Sequence, residues 1–230
     1  MHLNGFVDVI SKAFLDVVIQ PGQQPDEREA LHSMLDHFTP DDPQKYIITA
    51  DRGYESYDLL FHCELQNLGY VFRVKSPSSP KSILSYYASE LPDDLEEFDV
   101  TIKRFFTDKA TNIMKSQSDV YRYINPSKNT PHFYELLRKN HSHLYFLQFR
   151  VVKIKTAENT YEYLITNLPF SFTLDDIQEC YHWRWGIEIS FRYLKHAAGL
   201  LYFHSKQPEF LKQEIYSRLI LYNFGIFIAN

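Results

Sequence analysis

The chain has 230 residues, of which 44% are hydrophobic and 23% are charged, and its formal net charge is −5. This composition excludes a disordered or fibrous protein, and the length suits one large domain or a domain with a sizeable insertion. The negative charge excludes a uniformly basic surface, so any surface for nucleic acid must be local. The sequence has no signal peptide and no apolar run near the roughly 18 residues that a membrane span needs, which predicts a cytoplasmic protein.

The amino-terminal segment has two strand-like runs followed by a helical pattern. Residues 2–10 and 13–21 are rich in β-branched and aromatic residues and flank a short turn, which predicts a hairpin. Residues 25–38 carry proline and acids at their start and apolar residues at helical spacing, which predicts a helix.

A strand–helix–strand pattern follows the first helix. Residues 45–51 are a short apolar run with β-branched residues and predict a buried strand that ends at Asp51. Residues 55–69 predict a helix with Gly69 as its C-cap, and residues 70–75 predict a second strand. The short links indicate parallel pairing through a right-handed crossover. Asp51 would then lie where open α/β sheets place ligands, although a turn-capping role is the alternative.

The composition changes after the second strand of this pattern. Residues 76–82, SPSSPKS, predict a loop or linker, and residues 101–166 alternate between apolar and polar side chains as strands do. This alternation predicts an antiparallel β insertion inside the α/β domain. We therefore divide the chain into three parts, which are residues 1–75, 76–170 and 171–230.

The last part of the chain predicts helices. Residues 173–199 predict one long helix, with Thr173 as its N-cap and Gly199 at its end. The strongly apolar residues 214–230 predict a further helix. We interpret it either as a buried final helix or as the sign of a chain that is truncated.

The long helix carries a polar line beside its apolar face. An α-helix advances by about 100° per residue. The side chains of four residues therefore lie within about one sixth of its circumference, namely Tyr181, Arg184, Glu188 and Lys195. Arg192 flanks this line. The alternative interpretation is an amphipathic helix in which Glu188 forms stabilising i,i+4 ion pairs with Arg184 and Arg192.

The charge of this region differs from that of the whole chain. Residues 181–206 contain four lysine or arginine residues and a single acid, Glu188. A cationic surface that is rich in aromatic side chains suits phosphate groups and unstacked bases. A lone carboxylate weakens phosphate binding unless it binds a divalent cation, because Mg²⁺ takes carboxylate and phosphate oxygens together. The region therefore indicates a DNA-binding surface with a metal ligand.

Two motifs carry a resemblance to a known family. The spacing Tyr181-x2-Arg184-x3-Glu188-x6-Lys195 resembles the YREK signature of the IS4-family DDE transposases, and ITADRGYES, residues 48–56, resembles the segment with their second catalytic Asp. Three further segments are similar to that family, RVK (73–75), YEYLITNL (161–168) and FHSK (203–206). The resemblance implies a ribonuclease-H-like mixed α/β sheet with helices, interrupted by an antiparallel β insertion before the last catalytic helix.

The resemblance also implies an activity and its residues. The activity is cut-and-paste DNA transposition, in which an Asp, Asp, Glu triad holds two divalent ions, Mg²⁺ or Mn²⁺. Carried over by position, Asp51 is the second Asp and Glu188 the Glu, and both would ligate metal. The DNA-binding side chains would be those of Tyr181, Arg184, Arg192 and Lys195. Trp183 and Trp185 would stack on a flipped base, with ordinary packing near the core side as the favoured alternative for Trp183. The expected partners are transposon-end and target DNA and a second copy of the chain on DNA, with no membrane.

The family pattern requires a first Asp on the first strand of the fold. The hairpin 2–21 resembles the second and third strands, so we expect that strand, and its Asp, upstream of Met1. We interpret Asp8 and Asp16 as structural residues of the hairpin. The expectation is therefore an inactive transposase fragment, truncated at the N-terminus and at the C-terminus. The alternatives are a non-catalytic DNA-binding remnant or regulator of a full-length transposase, and another two-metal nuclease on the same fold.

Overall fold

The computed structural model describes the chain over residues 1–23, 25–125, 130–196, 199–200 and 202–229. The backbone divides into two units, of which unit 1 comprises Met1–Thr39 and His182–Asn230 and unit 2 comprises Pro40–Tyr181. Unit 1 thus combines both ends of the chain, whereas unit 2 is continuous. None of the helices in the described part of the chain has both the length and the apolar character that crossing a membrane requires.

Strands and helices are interspersed up to Thr166 in the described residues, and three helices follow it. The strands of the described residues are β1 (His2–Val7), β2 (Phe14–Gln20), β3 (Ile47–Ala50), β4 (Gly69–Val74), β5 (Phe98–Thr107), β6 (Tyr121–Tyr123), β7 (Leu144–Ala157) and β8 (Thr160–Thr166). The α-helices of the same residues are α1 (Glu27–His37), α2 (Tyr57–Leu65), α3 (Asn112–Ser116), α4 (Pro131–Lys139), α5 (Leu174–His182), α6 (Trp185–His196) and α7 (Pro208–Ala229).

Unit 1 contains the predicted hairpin. Strands β1 and β2 pair antiparallel, with Leu3 opposite Ile19, which confirms the prediction. The turn between them is held by Asp8, whose carboxylate accepts hydrogen bonds from the Ile10 backbone N–H at 3.0 Å and from the Ser11 hydroxyl at 2.6 Å. These contacts give Asp8 the structural role that the sequence indicated.

The core of unit 1 joins the hairpin to the carboxyl-terminal helices. Its buried side chains are those of Val7, Phe14, Leu194, Leu200, Ile215, Leu219 and Tyr222. The predicted helix 25–38 is confirmed as α1, which Asp26 caps by accepting hydrogen bonds from the backbone N–H groups of Arg28 and Glu29. An apolar core that draws on strands and helices from both ends of the chain makes unit 1 depend on non-local contacts.

Unit 2 is built on a mixed sheet, which has six strands in the described residues. Their order is β3-β4-β8-β7-β5-β6. The predicted parallel pairing of β3 with β4 is confirmed, with Ile48 opposite Tyr70. Strand β8 pairs antiparallel with β4 and with β7, and β7 pairs antiparallel with β5, while β5 and β6 are parallel. The strands of the predicted insertion therefore continue the α/β sheet, and the predicted α/β class with a mixed sheet is confirmed.

The helix between β3 and β4 is shorter than the predicted helix 55–69. Helix α2 begins after Ser56, whose hydroxyl accepts a hydrogen bond from the Asp58 backbone N–H, and it ends at Leu65. The prediction that Gly69 caps this helix is wrong, because Gly69 is the first residue of β4. The left-handed residue after the helix is Asn67, with φ of 54°. Asparagine tolerates this conformation because its short polar side chain bonds locally.

The predicted single helix over residues 173–199 is also wrong in one respect. Two helices, α5 and α6, replace it, and residues 183–184 separate them. There the backbone N–H of Gly186 bonds to the carbonyl of Trp183 at 2.8 Å, and that of Ile187 bonds to the carbonyl of Arg184 at 3.0 Å. These bonds span three residues rather than four, which tightens the turn. Residues 197–198 of the predicted helix lie outside the described residues.

The last helix is only partly buried. Ile215 and Leu219 of α7 are buried in the core of unit 1, whereas Ile220, Phe224 and Phe227 are strongly exposed. The interpretation of a buried final helix therefore holds for one face of α7 and fails for the other. The apolar composition of this segment did not distinguish the two faces, because both are apolar.

Candidate active-site carboxylates and basic surface

Asp51 lies directly after β3, at its carboxyl end. Its side chain caps the short 3-10 helix Arg52–Tyr54, since Oδ1 accepts a hydrogen bond from the Arg52 backbone N–H at 2.7 Å. The side chain is still 43% exposed, so a ligand can reach it. The turn-capping alternative and the ligand site are thus compatible, because capping occupies one side of one oxygen.

Two further donors reach the same oxygen of Asp51. Nη1 of Arg73, on β4, lies 3.4 Å from Oδ1, and the phenol oxygen of Tyr181, on α5, lies 3.3 Å from it. The other side of the Arg73 guanidinium binds Glu162 of β8, with Nη2 to Oε1 at 2.9 Å. Adjacent strands therefore bring one cation between two carboxylates, and this arrangement fixes the orientation of Asp51.

The charge of Arg73 is stabilised where it lies. Desolvation lowers the pKa of its guanidinium, but the opposing effects of Glu162, Tyr181 and Asp51 outweigh it, so the pKa is raised from its ordinary value. Arg73 is consequently a permanent cation beside Asp51. A cation at this distance favours the ionised form of a carboxyl group, which is the form that binds metal.

Tyr181 is held against the sheet by packing and by the start of its helix. Its ring is buried in a cluster with Val71 and Ile177. The predicted N-cap Thr173 is confirmed, because its hydroxyl accepts a hydrogen bond from the Asp176 backbone N–H at 3.2 Å, while the Asp176 carboxylate accepts one from the Thr173 backbone N–H at 2.7 Å. This capping box sets where α5 begins and therefore where Tyr181 falls.

A cleft of about 270 Å³ opens beside these residues in unit 2. Three cationic side chains line it, those of Arg52, Arg73 and Lys75, together with Val74, Ser76, Ser79, Tyr161, Glu162 and Tyr163. Its walls offer cations, hydroxyls and aromatic rings, which are the groups that bind phosphate and bases.

Glu188 lies in unit 1, in the first turn of α6. Its side chain is 62% exposed, and its Oε1 lies 3.4 Å from Nη2 of Arg184. The predicted i,i+4 contact therefore persists across the start of α6. Arg192 and Lys195 are exposed, whereas Leu194 between them is fully buried. Within α6, Glu188, Arg192 and Lys195 fall on one solvent-facing side. The predicted line of four side chains on one helix is not formed, because Tyr181 belongs to α5 and Arg184 precedes α6.

The predicted site residues thus form two groups. Asp51 and Tyr181 lie in unit 2 and are in contact, and Glu188, Arg184, Arg192 and Lys195 lie in unit 1. The donor set fits the predicted metal, because both carboxylates are partly exposed oxygen ligands of the kind that Mg²⁺ and Mn²⁺ prefer. A shared metal site of Asp51 and Glu188 stays a prediction.

The prediction that Trp183 packs on the core side of its helix is wrong, because this residue is 47% exposed. Trp183 and Trp185 are both exposed, and the Trp185 ring lies 4.2 Å from the His182 ring between centroids. Exposed rings are available for stacking on a base, which stays a prediction.

Asp16, the other hairpin carboxylate, accepts a hydrogen bond from its neighbouring Val17 backbone N–H at 2.7 Å and contacts His37 at 2.9 Å.

Arg73 and Glu162 were not among the predicted site residues. The signal for Arg73 was an arginine inside the apolar strand YVFRV, where a cation needs a buried partner. The signal for Glu162 was weaker, since a glutamate on an alternating strand is ordinarily solvated. Only the pairing of β4 with β8 puts the two side chains together.

Comparison with known proteins agrees with this architecture. Residues 1–224 match the family described as transposase DDE domain. Over 73 residues the chain is 34% identical to the putative transposase InsL for insertion sequence element IS186A of Escherichia coli strain K12 and to the transposase for insertion sequence element IS421 of Escherichia coli. That stretch is 31% of this chain and 20% of each relative. The mixed α/β sheet is consistent with the ribonuclease-H-like fold of such domains, and the chain belongs to the transposase DDE domain family.

Proposed function

We propose that this chain is part of a cut-and-paste DNA transposase of the IS4 type. The observation that carries the proposal is Asp51 at the carboxyl end of β3, oriented by Arg73 and Tyr181, in a chain that matches the transposase DDE domain over residues 1–224. Asp51 and Glu188 would be the second Asp and the Glu of the catalytic triad. The YREK spacing from Tyr181 to Lys195 supports the subfamily.

The carboxylates and the cations have different roles in the proposed reaction. Asp51 and Glu188 would hold Mg²⁺ or Mn²⁺, which when bound stabilises charge on the oxygens of a phosphodiester under in-line attack. Arg73 orients Asp51 through the contact with Oδ1. Three exposed or partly exposed cations of unit 1, Arg184, Arg192 and Lys195, would contact DNA phosphates, which fixes the DNA relative to the carboxylates.

The proposed reaction has two steps on DNA. Water attacks a phosphodiester at the transposon end and releases a 3′-hydroxyl, and that hydroxyl then attacks a phosphodiester of the target. The two chemical steps displace one oxygen by another at phosphorus, so both need the same oriented carboxylates. Because two transposon ends must be joined to one target, we expect two copies of the chain on the DNA.

A second candidate is DNA binding without cleavage, as a remnant or a regulator of a full-length transposase. The observation that favours it is the engagement of Asp8 and Asp16 in local contacts of the hairpin, which makes them poor metal ligands. Asp51 and Glu188 alone would hold two metal ions weakly. The division into residues 1–75, 76–170 and 171–230, as two parts of a catalytic domain around an insertion, belongs to the same proposal.

One experiment separates these functions. The chain is incubated with Mg²⁺ or Mn²⁺ and with duplex DNA that carries the sequences flanking its gene, and binding, strand cleavage and strand joining are measured. Joining supports the transposase, binding without cleavage supports the second candidate, and hydrolysis without joining indicates a simple nuclease. In a full-length transposase that contains this chain, Glu188→Gln should abolish cleavage and leave binding intact or stronger. Glu179→Gln, an exposed glutamate of α5, is the matched control.

A further inference from the structure

Glu55 is a buried carboxylate that the proposed chemistry does not use. It follows Asp51 by four positions and comes directly after the 3-10 helix Arg52–Tyr54, and its side chain is only 1% exposed. A buried carboxylate is costly unless hydrogen-bond donors surround it. The residues that donate to Glu55 therefore show which parts of the chain it holds together.

The donors to Glu55 come from two places in the chain. Oε2 accepts hydrogen bonds from the backbone N–H of Lys75 at 3.1 Å and from Nζ of Lys75 at 3.0 Å. Oε1 accepts a hydrogen bond from the backbone N–H of Ile83 at 2.6 Å and lies 3.0 Å from the hydroxyl of Ser82. The same hydroxyl lies 2.7 Å from the carbonyl of Lys75, so its one proton is donated to either oxygen.

These contacts close a loop. The loop of residues 76–81 connects Lys75, which directly follows β4, to Ser82. Glu55 forms hydrogen bonds with both of these residues. Ser76 and Ser79 of this loop line the cleft next to Arg73. Glu55 therefore joins three parts of the site: the turn that carries Asp51, the cation Lys75, and the serine-rich wall of the cleft.

We propose that Glu55 is a positioning residue that holds Lys75 and the loop 76–81 in place to contact the DNA backbone beside Asp51. The inference rests on the proposed function, because it assigns the cleft to DNA phosphates. Two bonds from one carboxylate oxygen to Lys75 fix both its backbone and its ammonium group. The Lys75 side chain remains 36% exposed, so its ammonium is accessible to a phosphate oxygen.

A structural role would predict a different outcome from a positioning role. If Glu55 only neutralises Lys75, its removal frees a cation and strengthens DNA binding, because phosphate contacts depend on charge. If Glu55 positions Lys75, its removal weakens DNA binding although the chain becomes less negative. The sign of the change in affinity therefore decides between the two roles.

The test uses four variants of the full chain and a short fluorescein-labelled duplex. Glu55→Gln removes the charge, Ser82→Ala loosens the loop without changing any charge, and Lys75→Met removes the cation. Glu64→Gln is the matched control, since Glu64 is a largely buried glutamate of α2 whose hydrogen bonds go to Tyr145 and Asn167. Fluorescence anisotropy over a range of salt concentrations gives the affinity and its salt dependence, and hydrogen exchange reports on the loop.

The expected results follow from the geometry. Lys75→Met should weaken binding and reduce the salt slope by about 1. Glu55→Gln and Ser82→Ala should each weaken binding by up to about tenfold, which corresponds to the upper end of the net contribution of one ordinary hydrogen bond. Both should speed amide exchange in the loop 76–81. The double variant of Glu55→Gln with Lys75→Met should lose less affinity than the two single variants together, because both changes act in part through Lys75. Glu64→Gln should bind like the unchanged chain.

Several outcomes would overturn the inference. Binding by Glu55→Gln that is equal to or tighter than that of the unchanged chain contradicts it, as does a Lys75→Met variant with an unchanged salt slope. If Glu55→Gln does not fold, Ser82→Ala decides, because it keeps every charge. An unchanged chain that binds no duplex at all overturns the proposed function, whereas an unchanged chain that binds while Ser82→Ala binds equally well overturns only the role of Glu55.

Discussion

The phenol oxygen of Tyr181 lies 3.3 Å from Oδ1 of Asp51, although 130 residues separate them in the sequence. The contact joins α5 to the end of β3 and orients the carboxylate that we propose as a metal ligand. The first prediction concerns its strength. Tyr181→Phe should lower the free energy of unfolding by about 1 kcal/mol, the net worth of one hydrogen bond.

Tyr181→Ala is the comparison for that variant. It also removes a buried ring, and it should cost about 3–5 kcal/mol. Urea denaturation measures both changes. Equal costs of the two variants would show that the contact with Asp51, rather than the packing of the ring, dominates the contribution of Tyr181.

Two neighbouring residues of α6 test its orientation. Leu194 is fully buried in the core of unit 1, whereas Tyr193 is 59% exposed. Leu194→Ala should therefore cost about 2–5 kcal/mol, and Tyr193→Ala should change the stability by about 0.5 kcal/mol or less. The same denaturation experiment measures both. A reversed order would mean that the side of α6 with Glu188, Arg192 and Lys195 faces the core.

The contact between Arg184 and Glu188 distinguishes the functional helix from a helix stabilised by ion pairs. The pair joins a largely buried Arg184 side chain, 15% exposed, to an exposed Glu188. A helical i,i+4 pair contributes about 0.3–0.5 kcal/mol and methionine keeps most of the apolar stem, so Arg184→Met should change the unfolding free energy little. DNA binding should nevertheless weaken, with a salt slope reduced by about 1. Anisotropy titrations and denaturation on the same preparation measure the two quantities. Parallel losses of stability and binding would favour the ion-pair alternative.

Divalent ions should stabilise the folded chain through the two carboxylates. At an ion concentration tenfold above its Kd, binding adds about 1.4 kcal/mol to stability, which raises Tm, and removing the ion with a chelator reverses the effect. Thermal unfolding with Mn²⁺ or Mg²⁺ measures this change. Asp51→Asn and Glu188→Gln should each reduce the ion-dependent increase. If only one of them does so, the two carboxylates do not share the ion.

The largely buried carboxyl group of Glu64 should make the free energy of unfolding depend on pH. Desolvation raises the pKa of its carboxyl above the ordinary value, although hydrogen bonds from Asn167 and Tyr145 act in the opposite direction. The folded chain therefore holds this proton more tightly than the unfolded chain, so the contribution is present at low pH and is lost as pH rises through the folded pKa. Glu64→Gln lacks this contribution, so its urea midpoint relative to that of the unchanged chain should rise from acid to neutral pH.

Tyr145→Phe is the complementary variant for that prediction. It removes a hydrogen bond that stabilises the ionised carboxylate of Glu64. The pKa of Glu64 should rise further, and the loss of stability towards neutral pH should become steeper than in the unchanged chain. A shallower dependence in this variant would assign the effect to a different group.

Local patterns in the sequence determined several elements of this protein. The hairpin, helix α1, the parallel pair β3 and β4, and the N-cap Thr173 were all predicted, because alternation, helical spacing and capping side chains act within a few residues. The same local reasoning placed Asp51 at a strand end and put Glu188, Arg192 and Lys195 on one side of a helix. It identified the family through motifs, and the match over residues 1–224 confirmed the transposase DDE domain.

Tertiary structure alone decided the remaining features. The break between α5 and α6, the exposed face of α7 and the pairing of β4 with β8 depend on which distant surfaces meet. Arg73 reaches Asp51 and Glu162 only because three strands lie side by side, and Glu55 closes its loop only because β4 ends beside it. Contacts between residues far apart in sequence leave no periodic trace in either segment, so the partners of these charged side chains could not be predicted from the sequence.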